Sequence, residues 1–369
     1  MSNKNKKILG IIEGFYGKSW SWSARQDYSS FLLEVGLGSY IYAPKSDKKL
    51  RSNWYELWSS EEISNIQNCS FNFKLSGLDF GIGFSPLSLV NEDLSSRNGK
   101  NLLEKLILKL DQISQIKPEI FCILFDDAVC SSEDTAKRQL LLCDLIFSKV
   151  DAKKIIICPS YYSSDPILEE LFGAMPKNYW RDLGKGLDSK VNFFWTGEKV
   201  CSENFNEQNL NFIAEEFARL PVLWDNYPVN DGKKLSRFLR LKPFIRDEII
   251  TDMSAGHIAN PMNQPYLSQL PLSTLSKLHI DSKGSDVKRT NDDKYILWRK
   301  FADSNLGKDL SMLFLNNIDN FSTKGLDGLT IDEKINLKNE FKSFDHPCVV
   351  ELIDWFDEKY KFDPACLTS

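Results

Sequence analysis

The stretch that decides the fold is IFCILFDD, Ile120 to Asp127, in which six apolar residues run into two adjacent aspartates. A short continuous apolar run predicts a strand that is buried on both faces, as in parallel sheets. Because burying an unpaired carboxylate is costly, we expect Asp126 and Asp127 where this strand ends, at the open rim of a barrel. An Asp-Asp turn that only caps the following helix is the alternative, and this stretch alone leaves both open.

Similar apolar runs recur through residues 1–285, with segments of helical periodicity between them. This alternation predicts parallel strands joined by right-handed crossovers. We expect an α/β fold, a (β/α)8 TIM barrel, and a doubly wound open sheet is the alternative. The predicted strands are Ile8–Ile12, Ser39–Ala43, Phe71–Leu75, Ile120–Phe125, Lys154–Cys158, Val191–Trp195, Pro221–Trp224 and Ser254–Ala259.

The pattern changes after residue 285. The polar stretch Lys283 to Asp293 is predicted to be a linker, and Gly325–Thr330 a loop between helices. Residues 286–369 are predicted to form a C-terminal helical bundle beside the catalytic barrel of residues 1–285, and the bundle could pair with a second copy as a homodimer. Its predicted helices are Tyr295–Asn305, Lys308–Phe321, Asp332–Phe344 and Cys348–Tyr360.

Composition excludes several classes of function. The chain has 369 residues and a net charge of -5, without the basic stripe that nucleic acid or an anionic membrane would require. The eight cysteines include no CxxC pair and fit core thiols in a reducing compartment. Three scattered histidines argue against a His-based metal site or a Ser-His nucleophile, and no cofactor is expected.

The expected location is the cytoplasm. The N-terminal segment MSNKNKKILGIIEGFYG has only a short apolar run, unlike a signal peptide. No stretch approaches the roughly 20 apolar residues that span a bilayer. Export without a cleaved signal would leave no mark in the sequence.

Polar and aromatic residues follow nearly every predicted strand, which predicts one ring of side chains around one pocket. Tryptophan and tyrosine rings suit the apolar faces of sugars, whereas Asp, Asn and Lys suit hydroxyl groups. Hydrolysis between two separated carboxylates does not fit Asp126 and Asp127, because neighbours cannot bracket a sugar ring. They fit substrate-assisted hydrolysis, in which the 2-acetamido oxygen of the sugar is the nucleophile.

The chain resembles glycoside hydrolase family 84, the O-GlcNAcases and bacterial hyaluronidase-like β-N-acetylglucosaminidases. The resemblance covers roughly the first 280 residues in the order of the family's motifs. It implies a (β/α)8 barrel and retaining, metal-free, substrate-assisted cleavage of terminal β-linked N-acetylglucosamine (GlcNAc). The matching stretches are Glu13–Gly17 with Trp20, Tyr40–Lys45, Phe125–Asp127, Trp195–Gly197, Trp224–Asp231 and Asn260–Met262.

The resemblance also implies a role for each site residue. Asp126 would orient and polarise the acetamide, and Asp127 would be the general acid and then the general base. Tyr162 would bind the acetamido oxygen, and Asp231 the O4 and O6 hydroxyls. The other implied substrate-binding residues are Gly14, Lys45, Thr196, Trp224, Asn226 and Asn260, with Cys158 and Val200 near the pocket.

The expected substrates are GlcNAc glycosides and, in particular, O-GlcNAc-modified proteins, with no nucleic-acid or membrane partner. Hyaluronan and cell-wall fragments present the same terminal sugar and stay open. Two other functions are kept beside this one: a non-catalytic barrel that binds N-acetylhexosamine, and a phosphohydrolase that uses the aspartates on Mg²⁺. His257 and Asp225 are expected to be structural, as a core residue and as an orienting group.

Overall fold

The computed structural model describes residues 7–129, 132–280 and 290–367. Within these ranges eight parallel strands close into a barrel, in which each strand pairs with the next and β8 returns to β1. The pairing of Ile8 with Gly256 closes the ring, so the open-sheet alternative is excluded and the TIM barrel is confirmed. The strands are β1 (Ile8–Ile12), β2 (Ser39–Tyr42), β3 (Asp79–Phe84), β4 (Ile120–Leu124), β5 (Lys154–Cys158), β6 (Asn192–Trp195), β7 (Val222–Asp225) and β8 (Gly256–Ala259).

Helices follow the strands around the barrel. Residues 226–255, between β7 and β8, form a long loop that contains only short 3₁₀ turns. The barrel helices are α1 (Trp22–Val35), α2 (Ser60–Leu75), α3 (Arg97–Ser114), α4 (Thr135–Phe147), α5 (Ile167–Phe172), α6 (Tyr179–Gly186), α7 (Glu207–Phe217), α8 (Pro265–Leu272) and α9 (Lys277–Ile280).

The predicted third strand was wrong. Phe71–Leu75 is the last turn of α2, which begins with a capping box between Ser59 and Glu62. The true strand, Asp79–Phe84, contains Gly81 and Gly83, which interrupt the apolar run that predicts a strand. A Cβ atom on Gly83 would lie 2.6 Å from Ala43 Cβ, so close strand packing requires the glycine.

The core lies between the barrel strands and the inner faces of the helices. Every residue of β4 is buried, as its continuous apolar run predicts. Helix α3 buries one stripe that includes Leu106, Leu110 and Ile113, at the spacing of an amphipathic helix. Among the described residues, no helix combines the length and the apolar character that crossing a membrane demands.

Further helices follow the barrel: α10 (Asn291–Leu306), α11 (Lys308–Asn316), α12 (Gly325–Gly328), α13 (Ile331–Phe341) and α14 (Pro347–Phe356). The loop predicted at Gly325–Thr330 was wrong in part, because α12 occupies its first residues. Of the predicted linker Lys283 to Asp293, residues 283–289 lie outside the described residues, and Asn291 already begins α10. The domain boundary at residue 285 and the pairing of two copies stay predictions.

Candidate active site

The carboxyl ends of the strands surround a pocket of about 510 Å³. Such a pocket at this face of a parallel barrel is where active sites are found. Every residue named as a site residue from the sequence lines it: Gly14, Lys45, Asp126, Asp127, Tyr162, Thr196, Trp224, Asn226, Asp231 and Asn260. The lining is completed by Tyr16, Cys158, Val200, Cys201, Val229 and Cys366.

Asp126 and Asp127 follow β4 directly. Asp127 has a φ of +64°, in the left-handed region that residues other than glycine seldom adopt. Backbone strain of this kind costs about 1–3 kcal/mol and clusters at functional sites. The unusual turn allows two consecutive carboxylates to line one pocket.

Asp126 is held as a carboxylate. Burial favours the neutral acid, but ion pairs with Lys45 and Arg51 outweigh it and keep the pKa of Asp126 below its usual value. Both cations contact Oδ2. The other oxygen, Oδ1, is buried and has no hydrogen-bond partner among the residues that the structure describes. A buried acceptor of this kind is expected to receive its donor from water or from a ligand.

Asp127 has two donors on one oxygen. Tyr16 Oη donates to Asp127 Oδ2 at 2.7 Å, and Arg51 Nη2 lies 2.6 Å from the same oxygen. Burial and the negative charge of Asp127 raise the pKa of Tyr16, so the phenol keeps its proton and can donate. Across the described ranges, no group of three or more His, Cys, Asp or Glu side chains could hold a metal ion.

A chain of amide hydrogen bonds crosses the other side of the pocket. The Gly14 amide donates to Asn260 Oδ1 at 3.1 Å. Asn260 Nδ2 and Trp224 Nε1 both donate to Asn226 Oδ1, at 3.0 and 2.9 Å, and Asn226 Nδ2 donates to the Val200 carbonyl at 2.7 Å. A Cβ atom on Gly14 would lie 2.3 Å from Trp224 Cζ2, so only glycine fits against this indole. These bonds fix the orientation of the amides before any ligand binds.

Asp231 joins the loop after β7 to the loop after β1. Its Oδ2 accepts a hydrogen bond from the Tyr16 backbone N–H at 2.8 Å. Burial raises the pKa of Asp231 to about 6, although that hydrogen bond acts in the opposite direction. The carboxylate is therefore ionised at neutral pH and protonated in mildly acidic solution.

Tyr162 and Thr196 form a neighbouring wall of the pocket. The Thr196 N–H donates to the Tyr162 carbonyl at 2.9 Å, which ties the ends of β5 and β6 together. The adjacent Tyr161 packs against the ring of Tyr179 and donates its hydroxyl to the Gly173 carbonyl. Of the two tyrosines, Tyr162 is the one that lines the pocket, as the motif spacing predicts.

A buried ion network lies directly behind Trp224 and Asn226. Asp225 accepts two hydrogen bonds from Arg246, both at 2.8 Å, and lies 3.0 Å from His257 Nε2. Burial favours the neutral acid, but Arg246 and His257 reverse that preference and lower the pKa of Asp225. His257 Nδ1 in turn lies 3.0 Å from His279 Nε2. As expected, His257 is a satisfied core residue and Asp225 fixes the strand end between two pocket residues.

Sequence reasoning missed Arg51, which pairs with Asp126 and Asp127, and two residues of the pocket lining, Cys201 and Cys366. Arg51 lies in a charged stretch after Lys45 that has no strand or helix signal, although two adjacent carboxylates imply a second cation nearby. Cys366 is far from the barrel in the sequence, and no local pattern connects it to the site. Tyr16 and Cys201 also line the pocket, and only Tyr16 lies in a motif that was singled out.

Comparisons with known proteins identify the family of the chain. A family model described as beta-N-acetylglucosaminidase matches residues 9–306. Protein O-GlcNAcase from Rattus norvegicus and from Mus musculus are each 26% identical over 314 residues, covering 82% of this chain and 33% of theirs. The chain thus spans about a third of the length of these relatives.

Two solved structures are similar along most of the chain. A mutant of the Thermobaculum terrenum O-GlcNAc hydrolase has a TM-score of 0.74 and 28% identity, covering 95% of this chain and 81% of that one. A structure of CpGH84B has a TM-score of 0.72 at 24% identity, covering 94% and 65%, and supports the fold alone. The family match, which extends over most of the chain, confirms the resemblance seen in the motifs. The chain belongs to the β-N-acetylglucosaminidases of glycoside hydrolase family 84.

Proposed function

We propose that the chain removes terminal β-linked GlcNAc with retention of configuration, and that the acetamido oxygen of the sugar is the nucleophile. The observation that carries this proposal is Asp126 Oδ1, a buried carboxylate oxygen without a donor among the described residues. Asp126 lines the pocket beside Asp127. An acetamido N–H of the substrate would supply the missing donor. Mechanisms that place one carboxylate on each side of the sugar need two well-separated carboxylates. Consecutive residues such as Asp126 and Asp127 do not provide them.

In the first step Asp127 gives its proton to the glycosidic oxygen as the bond from that oxygen to C1 breaks. The acetamido oxygen forms a bond to C1 and closes an oxazoline ring. Asp126 accepts the hydrogen bond of the acetamido N–H, and its negative charge stabilises the positive charge that develops on the ring. Lys45 keeps Asp126 ionised through the ion pair described above.

In the second step Asp127, now a carboxylate, removes a proton from water. The water oxygen attacks C1 from the side that the leaving group vacated, and the bond from C1 to the acetamido oxygen breaks. Two inversions give net retention, and the acid and the amide return to their starting forms.

The remaining residues would bind the sugar in the roles that the family motifs imply. Asp231 would accept hydrogen bonds from O4 and O6, and Tyr162 would donate to the acetamido oxygen. The Gly14 N–H is already used by Asn260, so a backbone contact from Gly14 to a hydroxyl would be made by its carbonyl oxygen. Lys45, Asn226 and Asn260 would bind ring hydroxyls, with Thr196 and Trp224 beside the N-acetyl methyl group.

The proposed substrate is O-GlcNAc on protein. Its support is that the rat and mouse relatives are named protein O-GlcNAcase and the similar Thermobaculum terrenum structure is named an O-GlcNAc hydrolase. Hyaluronan and cell-wall fragments end in the same sugar and are the competing substrates. A Mg²⁺-dependent phosphohydrolase is disfavoured because Lys45 and Arg51 already occupy the cation positions beside both carboxylates.

The test compares Asp127→Ala with the wild type on two substrates. Serine-linked GlcNAc in a peptide has a poor leaving group and needs the acid, so we expect turnover to fall about 10²–10⁴-fold. An activated nitrophenyl glycoside needs little protonation, so its first step should be nearly unaffected. The control is Asp134→Ala, an exposed aspartate before α4 whose side chain makes no capping hydrogen bond.

If Asp127→Ala loses turnover equally on both substrates, Asp127 is not the general acid. A wild type that binds GlcNAc but cleaves neither substrate would be the non-catalytic barrel. Loss of activity on treatment with a chelator would favour metal-dependent chemistry instead. Parallel assays with hyaluronan oligosaccharides and muropeptides decide among the three kinds of aglycone.

A further inference from the structure

One part of the pocket wall comes from outside the barrel. Cys366 lines the same pocket as Asp126 and Asp127, although it lies beyond α14 in the sequence. Only 7% of Cys366 is exposed to solvent. We call residues 361–367, which carry this side chain, the strap.

Helix α14 brings the strap to the pocket end of the barrel. The side-chain carboxyl group of Glu351 accepts hydrogen bonds from the backbone N–H groups of Tyr266 and Leu267, at 3.1 and 2.8 Å, in the first turn of α8. Trp355 Nε1 donates to the Ser236 carbonyl at 3.2 Å, in the loop between β7 and β8. Helix α8 begins just after β8 ends, so both anchors lie at the face of the barrel where the strands deliver their site residues.

The chain leaving α14 then crosses the loop after β1. The ammonium group of Lys18 lies 4.8 Å from the centroid of the Tyr360 ring and 3.9 Å from Asp354 Oδ2. Lys18 is in the same loop as Tyr16, whose hydroxyl donates to Asp127. These contacts place the start of the strap beside the loop after β1, which also carries Tyr16.

A turn within the strap places Cys366 at the pocket. The Cys366 N–H donates to the Asp363 carbonyl at 2.9 Å, and the Ala365 N–H donates to Asp363 Oδ1 at 3.0 Å. The next residue, Leu367, is 59% exposed. Neighbouring residues of the strap therefore differ sharply, since one lines the pocket and the other lies in solvent.

We propose that the strap is the outer wall of the aglycone subsite and that Cys366 limits how wide the aglycone can be beside the scissile bond. The barrel strands supply the floor of the pocket, where the sugar would lie, whereas the strap reaches the pocket from outside, where the leaving group would project. This inference rests on the proposed function and narrows its substrate to GlcNAc carried on a slender, extended chain such as an unfolded peptide segment.

The first experiment enlarges the side chain at position 366. Free GlcNAc fills only the sugar subsite, so Cys366→Phe should leave its inhibition constant within about twofold of the wild type. The same variant should lower kcat/KM for a GlcNAc-modified peptide by at least about tenfold, which is about 1.4 kcal/mol. The matched control is Leu367→Phe, which adds an aromatic ring to the exposed neighbour and should change neither value. Equal changes in the inhibition constant of GlcNAc and in kcat/KM for the peptide would mean that Cys366 lies at the sugar subsite. No change in either value would mean that Cys366 does not line the aglycone subsite.

A second experiment reaches the same site without relying on the fold of a variant. Modifying the wild type with a benzyl methanethiosulfonate attaches a bulky group to accessible thiols. Activity on the glycopeptide should fall, saturating GlcNAc should leave the rate of thiol modification nearly unchanged, and Cys366→Ala should resist the loss. Equal inhibition of Cys366→Ala would show that another thiol, such as Cys201 in the pocket wall, is responsible and would overturn the proposal.

Failure of the strap proposal is distinct from failure of the proposed function. Hydrolysis of a nitrophenyl GlcNAc by the wild type is measured first and decides the function alone. If the wild type cleaves no β-GlcNAc, the strap is tested by calorimetric binding of GlcNAc and of the glycopeptide. Cys366→Phe should then weaken only the binding of the glycopeptide, and equal weakening of both would contradict the proposal.

Discussion

Arg51 Nη2 lies 2.6 Å from Asp127 Oδ2, and Arg51 Nη1 lies 3.5 Å from Asp126 Oδ2. A single guanidinium thus compensates two consecutive carboxylates whose charges would otherwise repel each other. Lys45 contributes a second cation, but only to Asp126. The position of Asp127 therefore depends on Arg51 and on the hydroxyl of Tyr16.

Replacing this cation should disturb the proposed acid. In Arg51→Met the two carboxylates lose their shared partner and Asp127 keeps only the hydrogen bond from Tyr16. Hydrogen bonds to charged groups contribute about 1.5–3 kcal/mol, so kcat/KM for a peptide with serine-linked GlcNAc, whose poor leaving group needs the acid, should fall about 10- to 100-fold. Lys49→Met is the matched control, because Lys49 lies in the same loop but pairs with Glu62 on the surface, and it should stay within about twofold. Similar kcat/KM values for Arg51→Met and Lys49→Met would mean that Arg51 does not contribute to catalysis.

The raised pKa of Asp231 predicts a pH dependence of sugar binding. With a pKa of about 6, this carboxylate is ionised above pH 6 and takes up a proton below it. The ionised form accepts hydrogen bonds from two hydroxyls much more strongly than the protonated acid, so the inhibition constant of GlcNAc should rise below pH 6, by up to about tenfold per pH unit. The Asp231→Asn variant should bind GlcNAc more weakly at pH 7, and its inhibition constant should no longer rise below pH 6. If the inhibition constant of the variant still rises there, another group is responsible for the pH dependence.

The ion network behind the pocket should be essential for stability. Asp225→Asn leaves Arg246 buried without its counter-ion, and breaking a buried pair in this way costs about 3–5 kcal/mol. The free energy of unfolding, measured with a denaturant, should fall by this amount. The exposed Asp252 provides the control, since Asp252→Asn should change the free energy of unfolding by no more than about 0.5 kcal/mol. A stable Asp225→Asn protein would mean that Arg246 finds another partner or water.

Much of this molecule could be predicted from its sequence because the signals were local. The apolar run of β4 ends in carboxylates, so both the strand and the pocket residues follow from one stretch. The strand β3 was missed because Gly81 and Gly83 replace apolar side chains where neighbouring strands pack closely. The prediction instead placed this strand at Phe71–Leu75, the end of α2, because this segment resembles a short apolar run. In the structure the side chains of Phe71 and Leu75 are exposed.

The contributions of Arg51 and Cys366 could not be predicted, since each depends on contacts between distant parts of the chain. Arg51 reaches the pocket from the loop after β2 and meets residues that follow β4. Cys366 arrives only because α14 packs on α8. No periodicity or spacing near either residue carries this information.

The contact that anchors α14 gives the last prediction. Burial raises the pKa of Glu351 to about 8, although the two backbone N–H groups of α8 favour its ionised form. In the unfolded chain the carboxyl loses its proton near pH 4.5, whereas the native protein retains it up to about pH 8. The native state therefore binds more protons between these values, so the stability that this group contributes is complete below pH 4.5 and is lost as pH rises to about 8.

Urea unfolding at pH 5 and at pH 8 measures this effect. The free energy of unfolding of the wild type should decrease more over this interval than that of Glu351→Gln, which has no titrating group at the contact. Glu340→Gln, on the exposed side of α13, should behave like the wild type and corrects for the other groups that titrate. Parallel slopes for the wild type and Glu351→Gln would mean that water reaches the contact and that Glu351 ionises as it does on the surface. In that case α14 would be held to the barrel mainly by apolar packing and by Trp355, whose indole N–H donates a hydrogen bond to the Ser236 carbonyl.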